Sequence, residues 1–137
     1  MEKFVLDSCG LIAFLRKEEG FNKVRSKIES STMGNIELFI HKATIIEIYY
    51  DTLKTSGLTK ADDILRLIHL MSMTEVETID DEFIRKASYF KTKYRISFAD
   101  SFVLALGFNE DAKIITADHH EFDIIETNGD AKFEWFR

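Results

Sequence analysis

Four acidic residues stand where a folded chain rarely leaves a charge without a role. Asp7 follows the apolar run at residues 4–6, and Asp118 ends the apolar segment "KIITAD". Asp100 lies within the apolar segment "SFADSFVLALGFN", and Glu47 lies within "TIIEIYY". A buried carboxylate must be hydrogen-bonded, paired or bound to a cation. Because no basic residue is an obvious partner for any of the four, we ask whether they meet at one site.

Taken singly, each acid has a simpler explanation. Asp7 and Asp118 could cap the segments that follow them, and Ser97 and Asp100 have the spacing of a capping pair. Glu47 could be an ordinary surface residue. Taken together, converging carboxylates would repel one another, which raises pKa values or recruits cations. Sites made only of oxygen atoms suit hard divalent ions such as Mg²⁺ or Mn²⁺, which orient phosphate oxygens and activate water.

Other catalytic chemistries are less well supported. None of the six glycines forms a phosphate-cradling loop, and there is no G-x-S-x-G motif. The single cysteine, Cys9, cannot form an internal disulfide, and we expect a small buried residue rather than a nucleophile. The adjacent His119 and His120 lack the helical spacing of a zinc pair. We expect both to be loop residues, with His119 a candidate for contacting a substrate.

Composition limits the classes of protein further. The chain has 137 residues, is 45% hydrophobic and carries a net charge of −6, which argues against nucleic-acid binding through overall charge. A local basic strip, "RKASYFKTKYR" at residues 85–95, is the exception, although it also fits the solvated face of a helix. No apolar run reaches membrane-spanning length, and the N-terminus has no export signal, so we expect a cytoplasmic protein.

The order of predicted elements indicates how the acids could meet. Strands are predicted at 3–7, 36–41, 73–78, 112–118 and 133–136, and helices at 8–19, 20–31, 42–57, 58–72, 80–94 and 97–109. Strands alternating with helices predict a mostly parallel sheet covered on both faces. In such sheets ligands bind at the carboxyl ends of the strands where strand order reverses. Asp7 and Asp118 share that crevice if their strands are neighbours.

Two helices carry predictions about packing. A helical wheel of residues 42–57 predicts a core face made of Ile46, Tyr49, Tyr50 and Leu53, with Glu47 at its edge. The helix near residues 60–72 has more apolar positions than one contact face needs. Part of it is therefore predicted to form a homodimer interface, with packing inside one chain as the alternative.

Four motifs, in order, resemble those of the PIN-domain ribonucleases, and most closely the toxins of prokaryotic VapBC toxin–antitoxin pairs. "FVLDSCGLIAFL" resembles the opening motif with its first acid, and "TIIEIYY" the helix with the second. "ISFADSFVLAL" resembles the third motif, and "IITADHHEF" the closing Thr-x-Asp motif. The resemblance covers nearly the whole chain.

This resemblance implies a fold and an activity. The fold would be a PIN-like three-layer α/β/α sandwich around a mostly parallel five-stranded sheet, with residues 1–137 as one nuclease domain. The activity would be Mg²⁺- or Mn²⁺-dependent endoribonuclease cleavage that leaves 5′-phosphate and 3′-hydroxyl ends. A homodimer and a small antitoxin partner that reaches into the acidic crevice are also implied.

The resemblance also implies roles for individual residues. Asp7 and Asp100 would be the main metal ligands, and Glu47 and Asp118 would complete the site through waters or a second ion. Ser8 and Thr116 would orient the carboxylates by hydrogen bonding. Within the basic strip, RNA contacts are predicted at Lys91, Lys93 and Arg95.

Two alternatives belong to other classes of protein. A catalytically silent PIN domain would serve as a binding or assembly module, but the presence of all four acids argues against it. An aspartate-phosphorylated receiver domain would need an acidic pair after the first strand and a lysine at a late strand end. This chain offers only one acid there, and Lys113 begins its strand.

Overall fold

A single parallel sheet forms the centre of the computed structural model, which describes all of residues 1–137. Its strands are β1 (Lys3–Leu6), β2 (Glu37–His41), β3 (Thr74–Val76), β4 (Lys113–Thr116) and β5 (Lys132–Trp135). The helices are α1 (Ser8–Arg16), α2 (Phe21–Thr32), α3 (Lys42–Ser56), α4 (Leu58–Leu70), α5 (Asp81–Lys93), α6 (Phe98–Glu110) and α7 (His119–Thr127). No helix is both long and apolar enough to cross a membrane.

Helices cover both faces of the sheet, which confirms the predicted three-layer α/β/α architecture. Alternate residues of β1 point to opposite faces, as a strand requires. Phe4 and Leu6 join an apolar core with α1, α2, α3 and α4, whereas Val5 joins a second core with α5, α6 and α7. All three residues are fully buried. The absence of polar alternation in β1 thus follows from its central place between two helical layers.

The strand order places two of the acids at the same crevice. The order is β3-β2-β1-β4-β5, and every neighbouring pair is parallel. The chain moves outward from β1 through β2 to β3, then returns to the other side of β1 to form β4 and β5. The order therefore reverses between β1 and β4, where Val5 pairs with Ile114 and Leu6 with Ile115. The condition for Asp7 and Asp118 to share a crevice, that β1 and β4 are neighbours, is therefore met.

The buried face of α3 differs from the prediction. Three residues of the predicted core face are strongly exposed: Ile46 at 67%, Tyr50 at 58% and Leu53 at 42%. The structure buries Ile45 and Ile48 instead. No loop separates β2 from α3, because His41 ends the strand and its Nδ1 accepts the Ala43 N–H as a helix cap. This direct junction fixes the rotation of α3 about its axis, which a helical wheel does not consider.

Helix α7 was not predicted, and the expectation that His119 and His120 lie in a loop is wrong. Both histidines belong to the first turn of α7. The helix begins because Asp118 caps it, with Oδ1 accepting the Glu121 N–H at 3.2 Å. Burial of Phe122 then holds the helix against the sheet. Other predicted bounds shift by a few residues: β1 ends at residue 6, β4 at 116 and α1 at 16.

Candidate active site

Asp7 lies at the carboxyl end of β1 and is only 2% exposed. Its backbone N–H donates to the Ile115 carbonyl at 3.2 Å, which ties it to the neighbouring strand β4. Its Oδ1 accepts the Ser8 N–H at 2.7 Å, so Asp7 also caps α1. Ser8 therefore holds the Asp7 carboxylate through its backbone N–H. The capping role considered from sequence is real, but it uses only one carboxylate oxygen.

The second oxygen of Asp7 is held by side chains from two elements. Thr116, the last residue of β4, donates from Oγ1 to Asp7 Oδ2 at 2.9 Å. The Cys9 thiol donates to the same oxygen at 3.3 Å and lies 3.2 Å from Thr116 Oγ1. Thr116 Oγ1 in turn accepts the Asp118 N–H at 3.1 Å. This network fixes the orientation of Asp7 and links it to the backbone of Asp118.

Despite these hydrogen bonds, Asp7 is an unusually weak acid for an aspartate. Burial raises its pKa from 3.8 to about 6, and the charge of Glu47 adds to the rise. The donors Thr116, Cys9 and Ser8 act in the opposite direction because they stabilise the charged form. Burial raises the pKa by more than these hydrogen bonds lower it. The hydrogen bonds therefore do not fully compensate the ionised carboxylate for its loss of water.

Asp100 reaches the same region from the first turn of α6. Ser97 caps this helix, and its Oγ accepts the Asp100 N–H at 3.0 Å. Asp100 itself is 8% exposed. Burial is the largest cause that raises the Asp100 pKa, to about 7, followed by the negative charge of Asp7. Glu47 and Asp118 raise it further.

The structure thus brings Asp7, Glu47 and Asp118 within electrostatic reach of Asp100. Asp7 and Asp100 are buried, whereas Glu47 and Asp118 are partly exposed. No basic side chain contributes to the pKa shift of either buried acid. Asp118 is also the cap of α7, so its Oδ1 has a structural role as well. The catalytic and metal-binding roles of these residues stay predictions.

A divalent cation fits the chemistry of this cluster. As the side chains stand, no three His, Cys, Asp or Glu groups are arranged to hold a metal ion. The donor set nevertheless consists of carboxylates, which hard divalent ions prefer. Burial and mutual repulsion raise the pKa values of Asp7 and Asp100, and a bound cation would relieve both effects. The residues present therefore match Mg²⁺ or Mn²⁺ in chemistry.

Cys9 is the member of this network whose contacts the sequence did not reveal. Burial raises the pKa of its thiol to about 12, and the charge of Asp7 is the second cause. The thiol therefore stays protonated, which agrees with the expectation that it is not a nucleophile. Its position two residues after Asp7, on the first turn of α1, was the only signal of its contact with the carboxylate.

The three basic residues predicted to contact RNA differ in whether a neighbouring acid offsets their charge. Lys93 Nζ pairs with Asp130 Oδ2 at 2.8 Å, which offsets its charge. Lys91 Nζ donates to the Ile96 carbonyl at 2.8 Å, a neutral group, so its charge is not offset. Arg95 is exposed. RNA binding by these three residues stays a prediction.

His119 makes contacts within the protein through its ring and both of its ring nitrogens, and its contact with a substrate stays a prediction. Its ring stacks on Trp135 with the centroids 3.9 Å apart. Nδ1 lies 2.8 Å from Asp123 Oδ1, and Nε2 lies 2.9 Å from the Arg137 carbonyl oxygen. The hydrogen bond to Asp123 is the main cause that raises the His119 pKa. These contacts tie α7 to the C-terminal segment.

The fold is an α/β/α domain with two buried carboxylates, Asp7 and Asp100, beside the carboxyl end of its central strand. The family model described as "PIN domain" matches residues 4–127. The chain therefore belongs to the PIN-domain family, which confirms the resemblance seen in the sequence. No curated protein is significantly similar to the chain.

Solved structures of toxin–antitoxin systems share the fold. VapBC2 from Rickettsia felis, bound to a promoter DNA fragment, matches with a TM-score of 0.78 and 14% identity, covering 97% of this chain and 98% of that one. DNA-bound VapBC from Salmonella typhimurium gives a TM-score of 0.77 and 15% identity over the full length of both chains. VapC20 from Mycobacterium tuberculosis, described as a Sarcin-Ricin loop cleaving toxin, gives 0.64 and 9% identity, covering 80% of this chain and 85% of that one.

Proposed function

We propose that the protein is a divalent-metal-dependent endoribonuclease of the VapC type, acting in the cytoplasm, with residues 1–137 as its nuclease domain. One observation carries this proposal. Two buried carboxylates, Asp7 and Asp100, have raised pKa values at the point where strand order reverses in a PIN domain, and their charged neighbours are acids. Such a cluster of carboxylates destabilises the folded state. A bound cation would offset this repulsion, which accounts for the presence of the cluster at a functional site.

The proposed roles follow from the contacts of each residue. Asp7 and Asp100 bind the ion directly, while Glu47 and Asp118 hold it through water or a second ion. Thr116 keeps Asp7 Oδ2 in position through its 2.9 Å hydrogen bond, and Ser8 holds Oδ1 through its N–H. A bound Mg²⁺ or Mn²⁺ supplies an activated water and stabilises charge on the phosphate.

RNA is the proposed substrate for two reasons. The VapC20 toxin, which shares the fold, is described as cleaving the Sarcin-Ricin loop. In addition, Lys91 and Arg95 are exposed basic residues, and the charge of Lys91 is not offset by an acid. The products proposed are 5′-phosphate and 3′-hydroxyl ends.

An antitoxin and a second copy of the chain are the proposed protein partners. Structures of VapBC and FitAB complexes from several bacteria share this fold. Helix α4 exposes Leu67 by 42% and Leu70 by 83%, which supports the homodimer contact predicted there. A catalytically silent PIN module is the alternative, and the presence of all four acids argues against it.

Cleavage of a structured RNA by the purified protein tests the proposed function. We expect cuts at few positions with Mn²⁺ or Mg²⁺, none with EDTA, and 5′-phosphate ends on the products. The ends are identified by their susceptibility to a 5′-phosphate-dependent exonuclease. RNA that stays intact with either metal, at enzyme in excess over substrate, would favour the silent binding module instead.

A further inference from the structure

An exposed phenylalanine begins α6, the helix that carries Asp100. Phe98 is the first residue of α6, two positions before Asp100, and it is 70% exposed. Its ring lies 5.0 Å from that of Phe102, which is 8% exposed and packs against Phe83 and His41. The Phe98 ring is therefore supported along one side and open to solvent over most of its surface.

Two cavities lie between α5 and α6, one of them beside Phe98. A cavity of about 200 Å³ lies between the two helices and is lined by Ser88, Lys91 and Phe98, among others. A second cavity of about 460 Å³ lies further along α5 and is lined by Arg85, Lys86, Tyr89 and Phe108. We define the α5–α6 face by six residues: Arg85, Lys86, Ser88, Lys91, Phe98 and Phe108.

The charge of the α5–α6 face is opposite to that of the whole chain. Its two cavities are lined by three cationic residues and a single acid, Glu82, whereas the chain has 24 acidic and 18 basic residues. Arg85 is exposed and lies in no ion pair of the structure. Lys86 is half-buried and lies in no ion pair of the structure, with its Nζ 3.7 Å from the centre of the Phe108 ring. These cations are therefore available to an anionic ligand.

Exposed aromatic rings lie among the cations of this face. Phe108 is 58% exposed and lies eight residues beyond Asp100, which is about 12 Å along a helix axis. Single-stranded nucleic acids bind where exposed aromatic rings stack on bases and nearby cations contact the phosphates. The exposed apolar residues of α3 and α4 are mostly aliphatic, as in a protein interface, and so offer a different chemistry.

We propose that the α5–α6 face binds a single-stranded segment of RNA next to the cleavage site, with one base stacked on Phe98. Lys91, Arg85 and Lys86 contact its phosphates, with Lys86 lying over the Phe108 ring. This proposal rests on the proposed function, since it takes RNA as the ligand. It adds a specificity-determining residue, Phe98, and a preference for unpaired over paired RNA next to the cut.

Binding of a short fluorescent oligouridine, measured by anisotropy in EDTA, tests this proposal separately from cleavage. We expect Phe98→Leu, which keeps an apolar side chain without a π face, to weaken binding roughly tenfold or more. Phe98→Trp restores the platform and should bind within about twofold of wild type. Ile124→Ala removes another exposed apolar side chain, 54% exposed on α7, and should leave binding unchanged.

The cations are tested by the salt dependence of the same binding. Replacing Arg85 and Lys86 with glutamine should flatten the slope of log K against log salt by about 0.7 for each lost phosphate contact. Lys60→Gln, on the exposed start of α4, should leave the slope unchanged. A duplex of the same length should bind more weakly than the single strand, because its bases are not free to stack on the platform.

Three results would overturn the proposal. They are equal binding by Phe98→Leu and wild type, an unchanged salt slope in the Arg85 and Lys86 variant, and a change of oligomeric state in Phe98→Leu by size exclusion. The last result would assign this face to a protein contact. Because no cleavage step enters these measurements, a protein that binds the oligonucleotide but never cuts RNA would refute the proposed function while leaving this proposal intact.

Discussion

Removing the charge of Asp100 should stabilise the metal-free protein, and increasingly so as the pH rises. The pKa of Asp100 is raised from 3.8 to about 7 in the folded state. Between these values the folded protein keeps a proton that the unfolded chain has lost. Stability therefore falls as the pH rises through this window, and the full penalty is present above about pH 7. Asp100→Asn removes this penalty, because asparagine keeps the shape of the side chain without ionising.

The size of the effect follows from the same pKa values. Each pKa unit is worth about 1.4 kcal/mol, so at pH 5 the penalty is between 1 and 2 kcal/mol and above pH 7 it is about 4 kcal/mol. The advantage of Asp100→Asn over wild type should thus grow by about 2–3 kcal/mol between pH 5 and pH 8. For a chain of this length, that growth corresponds to roughly 6–12 °C in melting temperature.

Thermal and urea unfolding at both pH values, with EDTA present, measure this growth directly. Asp130→Asn is the matched control, and its effect on the stability of the fold should be opposite to that of Asp100→Asn. The Asp130 pKa is lowered, chiefly by the hydrogen bond from Lys93, so its ionised form stabilises the fold and its replacement should cost stability at pH 8. If Asp100→Asn gained nothing between pH 5 and pH 8, Asp100 would not be a buried charge among acids. The reasoning about the site would then fail.

Three other perturbations address the metal, the backbone and the homodimer. Millimolar Mn²⁺ should raise the melting temperature of wild type but not of Asp100→Asn in a fluorimetric scan, and an equal rise in both would remove Asp100 from the metal site. Gly20→Ala should destabilise by about 2 kcal/mol or more in urea, because φ is +87° and the added Cβ would overlap the Phe136 carbonyl oxygen. Gly34→Ala, with φ +77° but open space, should cost only about 1 kcal/mol, and equal losses would contradict this account. Leu67→Glu with Leu70→Glu should yield a monomer by sedimentation velocity, whereas a wild-type protein that is itself monomeric would refute the homodimer.

The features predictable from sequence were those set by local patterns. The apolar run of β1 and the long apolar stretch of α6 identify buried elements, and alternation of strands and helices is enough to predict a parallel sheet. Because parallel strands end at the same edge, the acids after β1 and β4 could be expected to meet. The structure adds that burial and neighbouring acids act together on Asp7 and Asp100.

The features that sequence did not predict depend on contacts between distant residues. Helix α7 is short and polar at its start, and it is held by stacking of Phe122 on Phe133, whose ring centres are 5.3 Å apart. The rotation of α3 is fixed by its junction with β2 rather than by its own apolar pattern. The charge of Lys93 is offset by Asp130, 37 residues away in the chain, which no local pattern indicates.

Cleavage by wild type and Asp7→Asn, purified identically and assayed side by side with Mn²⁺, tests the central claim most directly. Asp63→Asn, which removes an exposed carboxylate on α4, is the control for handling and for a contaminating nuclease. Asp7 is held by Thr116 and Ser8 at the crevice, and its loss should leave the proposed ion unable to prepare the attacking water. We expect Asp63→Asn to cut like wild type and Asp7→Asn to leave the RNA intact while remaining folded. Equal cleavage by all three proteins would contradict the account and reduce Asp7 to a helix cap.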